Sequence, residues 1–155
     1  MKIRLLALGT RLPVWINTGY QDYAKRMPRH CQLELQEIPL AKRSQHTNPN
    51  SIIQQESEAL LARLAPQDYV VALDVKGEAW DTFTLAQRLS QWQMAGKNVS
   101  LLVGGPDGLA PTCLQRANCC WSLSPLTLPH GLVRIIVAEQ LYRAISLQQG
   151  HPYHR

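Results

Sequence analysis

Four side chains that can bind, stack or move a proton crowd the C-terminus: His151, Tyr153, His154 and Arg155. Chain ends usually carry small polar residues and fray. A frayed or surface-packed tail is the plain reading; a chemical one stands beside it. A guanidinium does not lose its proton, so Arg155 can hold a phosphate or a developing anion but cannot act as a base. An imidazole can take up a proton, so His154 or His151 could. Tyr153 can stack on a nucleobase or hydrogen-bond to it. His130, at a strand-to-helix junction, is a further candidate, although helix-start histidines are often structural.

Two other segments could hold a ligand. After the apolar run Val99–Val103 come Gly104, Gly105, Pro106, Asp107 and Gly108. Turn chemistry alone accounts for these residues; equally, glycine lets a ligand lie against the backbone. The run is neither GxGxxG nor a Walker A loop, so a ligand without phosphates suits it better. Asp107 either orients a substrate group or only fixes its own turn. The second segment reads WSLSPLTLPHG, where Ser124, Pro125 and Thr127 interrupt an apolar strand. Such backbone can offer amides and carbonyls to an adenine edge, or be an ordinary loop. Paired carboxylates, HExxH, GxSxG and a Cys–His arrangement are absent from the sequence, which disfavours hydrolase and glycosidase readings.

The elements around these segments alternate. Lys2–Leu8 predicts a buried strand ending at Gly9. Pro13 can open a helix whose apolar side uses Trp15, Ile16, Tyr20, Tyr23 and Met27, stopped by Pro28. A strand follows through Leu33 and Leu35. Residues 40–49 read as a polar, basic, mobile loop. Ser51 with Gln54 makes a capping box for a helix through Ile52, Ile53, Leu60, Leu61 and Leu64, closed by Pro66. Tyr69–Leu73 predicts a strand ending at Asp74, then a loop through Lys76 and Gly77. Asp81 or Thr82 can cap the next helix, and Gly96 can stop it. After strand Val99–Val103, a helix is expected from Pro111 to about Cys120. A short strand lies within Trp121–Leu128, and a long helix spans Leu132 to about Gln149. Strands alternating with helices predict an α/β fold with a mostly parallel sheet covered on both faces. Parallel sheets bind ligands beyond the carboxyl ends of their strands. That rule singles out Leu73 with Asp74, the glycine run, and Leu123–Leu128.

The chain has 155 residues, enough for one domain with a real core. Its net charge of +5 is unevenly placed. Residues 1–50 hold eight Lys or Arg against three acids, and residues 51–155 hold eight of each. The excess therefore sits in the first third, which points to a polyanion such as RNA or DNA, with a solubilising surface as the bland alternative. The four cysteines show no CxxC pair, and the N-terminus lacks the long apolar stretch of a signal peptide. A reducing compartment, free thiols and no transmembrane span are expected.

Taken together, KIRLLALGT, VVALDVKGEAWDT, LLVGGPDGL, WSLSPLTLPHGLVRIIVAEQLYRA and the terminal HPYHR resemble the RlmH family of 23S ribosomal RNA pseudouridine-N3 methyltransferases, within the SPOUT superfamily. The resemblance spans the whole chain, with the motifs in order. It implies one domain over 1–155, a parallel α/β sheet flanked by helices, and a C-terminal deep trefoil knot. It further implies a cytoplasmic homodimer that uses S-adenosylmethionine, with no metal and no membrane. The implied substrate is N3 of pseudouridine 1915 in helix 69 of 23S ribosomal RNA, read in the assembled 70S ribosome. Carried onto this chain, the cofactor positions are Leu73, Gly104, Leu123, Ser124, Pro125, Leu126, Thr127 and Leu128. The catalytic positions are Tyr153, His154 and Arg155. Gly105 and Gly108 match the family loop. Asp107 stands where Glu is frequent, and the acid that sometimes follows the arginine is absent. Two rival readings are an RNA methyltransferase of the same fold with another target, such as tRNA, and a ribosome-binding module without turnover. Cofactor binding and the identity of the methylated RNA separate them.

Overall fold

Buried residues alternate along the first strand, and the alternation explains the layers. In the computed structural model, which describes residues 1–154, β1 spans Lys2–Leu8. Its Ile3, Leu5 and Ala7 enter one apolar cluster, while Leu6 and Leu8 enter another. A strand whose two faces are both apolar must be covered on both sides. The covering helices are α1 (Val14–Ala24), α3 (Thr82–Ala95) and α5 (His130–Gln148) on one face, with α2 (Pro49–Leu61) and α4 (Pro111–Arg116) on the other.

The remaining strands are β2 (Gln32–Ile38), β3 (Tyr69–Ala79), β4 (Val99–Val103) and β5 (Cys119–Ser122). All pairs are parallel, in the order β2-β1-β4-β3-β5. Every strand therefore ends on the same side of the sheet. Among the described residues, no helix is long and apolar enough to cross a membrane.

Several boundaries differ from the sequence expectation, each for a local reason. The first helix ends at Ala24, and Lys25–Met27 tighten into turns before Pro28; a residue preceding proline is pushed out of the helical region. The next helix starts at Pro49, capped by Asn48, whose side chain accepts from the Asn50 amide at 3.0 Å. An Asn–Pro pair supplies both a cap and a first-turn proline, so it replaces the Ser51/Gln54 box; Gln54 bonds Glu58 instead. That helix closes at Leu61, before Pro66.

The third strand does not stop at Asp74. It runs on to Ala79 with a register shift, so that Trp121 lies opposite both Leu73 and Glu78. The Asp74 carboxylate accepts from the Lys76 amide at 2.8 Å, which kinks the chain locally. Gly77 then passes so close to Cys120 that a Cβ would stand 2.7 Å from its backbone carbon. The fourth helix ends at Arg116, not Cys120. Asn118 is clipped to Val70 through both backbone and side chain, at 2.8 Å each, and the following residues pair with β3 as β5. Asp81 does cap α3, accepting from Thr84 N at 2.7 Å, and Gly96 ends it in the left-handed region at φ 66°.

The return of the chain from β5 is tied down by charge. Arg134 on α5 is wholly buried, pairs with Glu37, and donates to the carbonyls of Gly9 at 2.8 Å and Leu8 at 3.3 Å. The segment between β5 and α5 therefore crosses from the β5 edge to the ends of β1 and β2 at the other side of the sheet.

Candidate functional site

Because β4, β3 and β5 are adjacent and parallel, the carboxyl ends of β4 and β5 and the irregular Leu73–Val75 stretch within β3 open on one space. A cavity of about 320 Å³ lies there, within the range of small-molecule sites. Leu73 comes from β3, Gly104 follows β4, and Leu123, Ser124, Leu126, Thr127 and Leu128 follow β5; all seven line it. Pro125 lies between lining residues but does not itself line the cavity. Gly105, Asp107 and Gly108 from the glycine loop also line it, with Trp121 on the floor of β5 and His130 and Val133 from the start of α5.

The cavity wall is largely backbone. Gly104 packs against Gly108 so tightly that a Cβ would stand 2.7 Å from its carbonyl carbon. No side chain fits there without moving main chain. Residues 124–128 make no backbone–backbone hydrogen bond among the described residues. Ser122 Oγ donates to the Ser124 carbonyl at 3.1 Å, and Ser124 Oγ accepts from the Leu126 amide at 2.9 Å, which holds this irregular stretch in place. Backbone groups outside regular structure need partners from elsewhere. Trp121 stacks on Trp80 at 5.0 Å and is 3% exposed, yet its indole N–H has no partner among the described residues.

Electrostatically the cavity is mild. His130 is pushed below the ordinary imidazole value by burial first, then by the Arg134 and Arg43 guanidiniums, with Glu56 opposing. It is therefore neutral near pH 7. None of the described lining residues is Lys or Arg, so this backbone-rich, partly apolar cleft suits an uncharged ligand better than a phosphate.

The tail stands elsewhere. Tyr153 and His154 lie in a short 3-10 turn, Pro152–His154, beyond the C-terminal end of α5. The Tyr153 ring meets Tyr142 at 4.7 Å, and its hydroxyl donates to Glu139 at 3.2 Å. Arg143 lies 4.9 Å over that ring and donates to the Tyr153 carbonyl at 3.4 Å. Burial, then hydrogen bonding with Tyr23 and the charge of Glu139, raise the Tyr153 phenol well above its usual range. Tyr153 is thus a donor and not a base. His154 Nδ1 sits against the His151 carbonyl. Arg155 lies outside the described residues. The cavity is lined by His130 and Val133 at the start of α5, whereas Tyr153 folds back beside Glu139, Tyr142 and Arg143, roughly 14–20 Å along the helix axis from His130. Neither Tyr153 nor His154 lines the cavity.

The basic first third is partly neutralised by the fold. Lys2 pairs with Glu34, Arg4 with Asp68, Arg26 with Asp22, and Arg43 with both Glu56 and Asp107. Arg11, Arg29 and Lys42 are exposed and make no ion pair among the described residues. Glu56, Arg43 and Arg134 did not stand out in the sequence as site residues. A signal for Glu56 exists: it stands midway between Ile52 and Leu60 in the apolar stripe of α2, where an acid needs a reason.

Comparison with known proteins follows the same lines. A family model described as a predicted SPOUT methyltransferase matches residues 1–154. Proteins named "Ribosomal RNA large subunit methyltransferase H" are similar along the whole chain. The one from Hahella chejuensis is 53% identical over 155 residues, covering 100% of this chain and 99% of its own. The one from Nitrosococcus oceani is 54% identical, with 100% and 99% covered. The one from a Marinomonas species is 50% identical, with both covered in full, 100%. A crystal structure of a methylase-family protein from Neisseria gonorrhoeae superposes with a TM-score of 0.52 at 18% identity, over 90% of this chain and 81% of that one, a likeness of fold alone.

Proposed function

Since the chain belongs to the SPOUT methyltransferases, and among them to the RlmH family, we propose that it methylates N3 of pseudouridine 1915 in helix 69 of 23S ribosomal RNA, in the assembled 70S ribosome of the cytoplasm. The observation that carries this reading is the meeting of Leu73, Gly104 and the Leu123–Leu128 segment around one backbone-lined cavity. When bound there, S-adenosylmethionine supplies a methyl group on a sulfonium, an electrophile that needs no further activation. The amides and carbonyls of residues 123–128 would hold the nucleoside, and Gly104 would let it lie against the chain. Pro125 would stiffen that segment from behind.

The ring nitrogen of pseudouridine is a poor nucleophile until it loses its proton. His154 would take that proton, and Arg155 would stabilise the resulting ring anion or grip a neighbouring phosphate. Tyr153 would stack on the base or hydrogen-bond to it. Tyr153 and His154 do not line their own chain's cavity, and a second subunit would deliver the tail. Val14 and Trp15 at the start of α1 are 80% and 57% exposed, which supports burial of this end in a homodimer. The path from β5 across the strand ends to Arg134 supports a C-terminal trefoil knot, in a single domain spanning 1–155.

The test is base-resolved mass mapping of ribosomal RNA after incubating purified 70S ribosomes with the protein and isotopically labelled S-adenosylmethionine. One added methyl on the helix 69 pseudouridine is expected. Label appearing in tRNA, or on another nucleotide, would end the substrate assignment. With the same assay, Arg155→Ala is expected to lower turnover about a hundredfold, and His154→Ala to change the pH–rate profile.

A further inference from the structure

Glu56 is 1% exposed. A buried carboxylate needs matched donors, and it has them. The Ala41 amide donates to Oε2 at 3.0 Å, Arg43 Nη1 lies 3.1 Å from Oε2, and Arg43 Nη2 donates to Oε1 at 3.2 Å. The same guanidinium reaches further. Its Nε and Nη2 donate to Asp107 Oδ2 at 3.2 and 2.9 Å, and Nη1 donates to the Ala41 carbonyl at 3.2 Å.

Asp107 belongs to the glycine loop that lines the cavity. An aspartate in such a turn normally bonds its own backbone. Here the turn closes through the Gly108 amide and the Gly105 carbonyl at 3.0 Å, while the recorded bonds of the Asp107 carboxylate go to Arg43. Gly105 completes the junction: a Cβ there would stand 3.1 Å from Leu40 Cδ2 and 3.4 Å from Glu56 Oε1. The segment before α2, expected to be loose, is therefore pinned between a helix and the cavity wall. A planar guanidinium has fixed donor directions and can hold two carboxylates in register; an ammonium cannot.

We infer that Arg43 is a positioning residue for methyl-donor binding: anchored on buried Glu56, it holds Asp107 and so sets the shape of the glycine loop that receives the donor. This rests on the donor reading of the cavity given above.

The experiment is calorimetric titration of the full-length protein with S-adenosylmethionine. Wild type is compared with Arg43→Ala, Arg43→Lys, Asp107→Asn and the Arg43→Ala/Asp107→Asn double variant. Arg43→Ala and Asp107→Asn are each expected to weaken Kd about tenfold, and the double variant to be no weaker than the weaker single. Arg43→Lys should fail to rescue, and saturating donor should return turnover on ribosomes to the wild-type value. Asp107→Asn changes only the exposed end of the bridge, so it carries the test even if Arg43→Ala folds poorly. Wild-type affinity in either single variant, full rescue by lysine, or losses that multiply in the double variant would overturn the inference. Absence of binding heat in the wild type would instead remove the donor reading itself.

Discussion

At the scale of single residues, the buried charges give the sharpest expectations. Arg134 is fully enclosed, its Nε has no partner among the described residues, and Glu37 is its acidic counterpart. Replacing Glu37 by alanine leaves a buried guanidinium uncompensated and is expected to cost about 3 kcal/mol of stability, read by urea unfolding. A change below experimental error would mean that the two backbone carbonyls alone satisfy Arg134. His130 gives a pH expectation. Its folded pKa is depressed by burial and by Arg134 and Arg43, so the unfolded chain binds the proton more readily. The resulting stability is fully present above about 6.5, the unfolded imidazole value, and is lost as pH falls through the folded value. Unfolding free energies measured from neutral to mildly acid pH should therefore fall less steeply in His130→Gln than in the wild type. Gly104→Ala should abolish measurable donor binding, since its Cβ would meet main chain and not a movable side chain.

At the scale of elements, the register shift of β3 against β5 shapes the cavity floor. It lets Trp121 lie opposite two residues of β3 and brings Leu73 to the rim. Gly77 is what allows β3 to pass the β5 backbone. Gly77→Ala is expected to destabilise the fold by about 2 kcal/mol through overpacking against main chain, with thermal unfolding as the measurement. An unchanged melting temperature would show that β5 can shift outward without loss. The sequence signalled both strands by their apolar content but not this detail. Nothing in the residues Asp74 to Ala79 distinguishes a loop from a strand that resumes; the partner strand decides. The same holds for α4. Its composition continues to Cys120, and only the clip of Asn118 to Val70 turns the chain into a strand.

For the whole molecule, the placement of the tail along α5 sets the constraint. With Tyr153 packed against Glu139 and Arg143 and outside the cavity, catalysis in a dimer would combine one subunit's donor site with its partner's tail. Mixing Gly104→Ala protein with protein truncated after Gly150 is then expected to restore about a quarter of wild-type activity after subunit exchange, because half the dimers are mixed and each has one working site. Continued silence of the mixture would show that each subunit works alone. Charge makes a separate expectation. If six phosphates were neutralised, log–log binding to RNA would fall with a salt slope of about −5. The pairing of Lys2, Arg4, Arg26 and Arg43 with acids argues for a shallower slope, carried more by Arg11, Arg29 and Lys42.

The order of the residues alone determined the alternating elements, the two-sided burial of the sheet, and the three segments that line the cavity, though not that β3 continues past the first of them. Those properties follow from local periodicity, turn residues and motif order, which are written along the chain. What the tertiary structure decided are relations between distant segments: Glu56 and Arg43 gripping Asp107, Arg134 closing on Glu37 and Gly9, and Tyr153 folding back on α5 outside the cavity. Each depends on which side chains a fold packs together across tens of residues, and a one-dimensional pattern carries no distance between them.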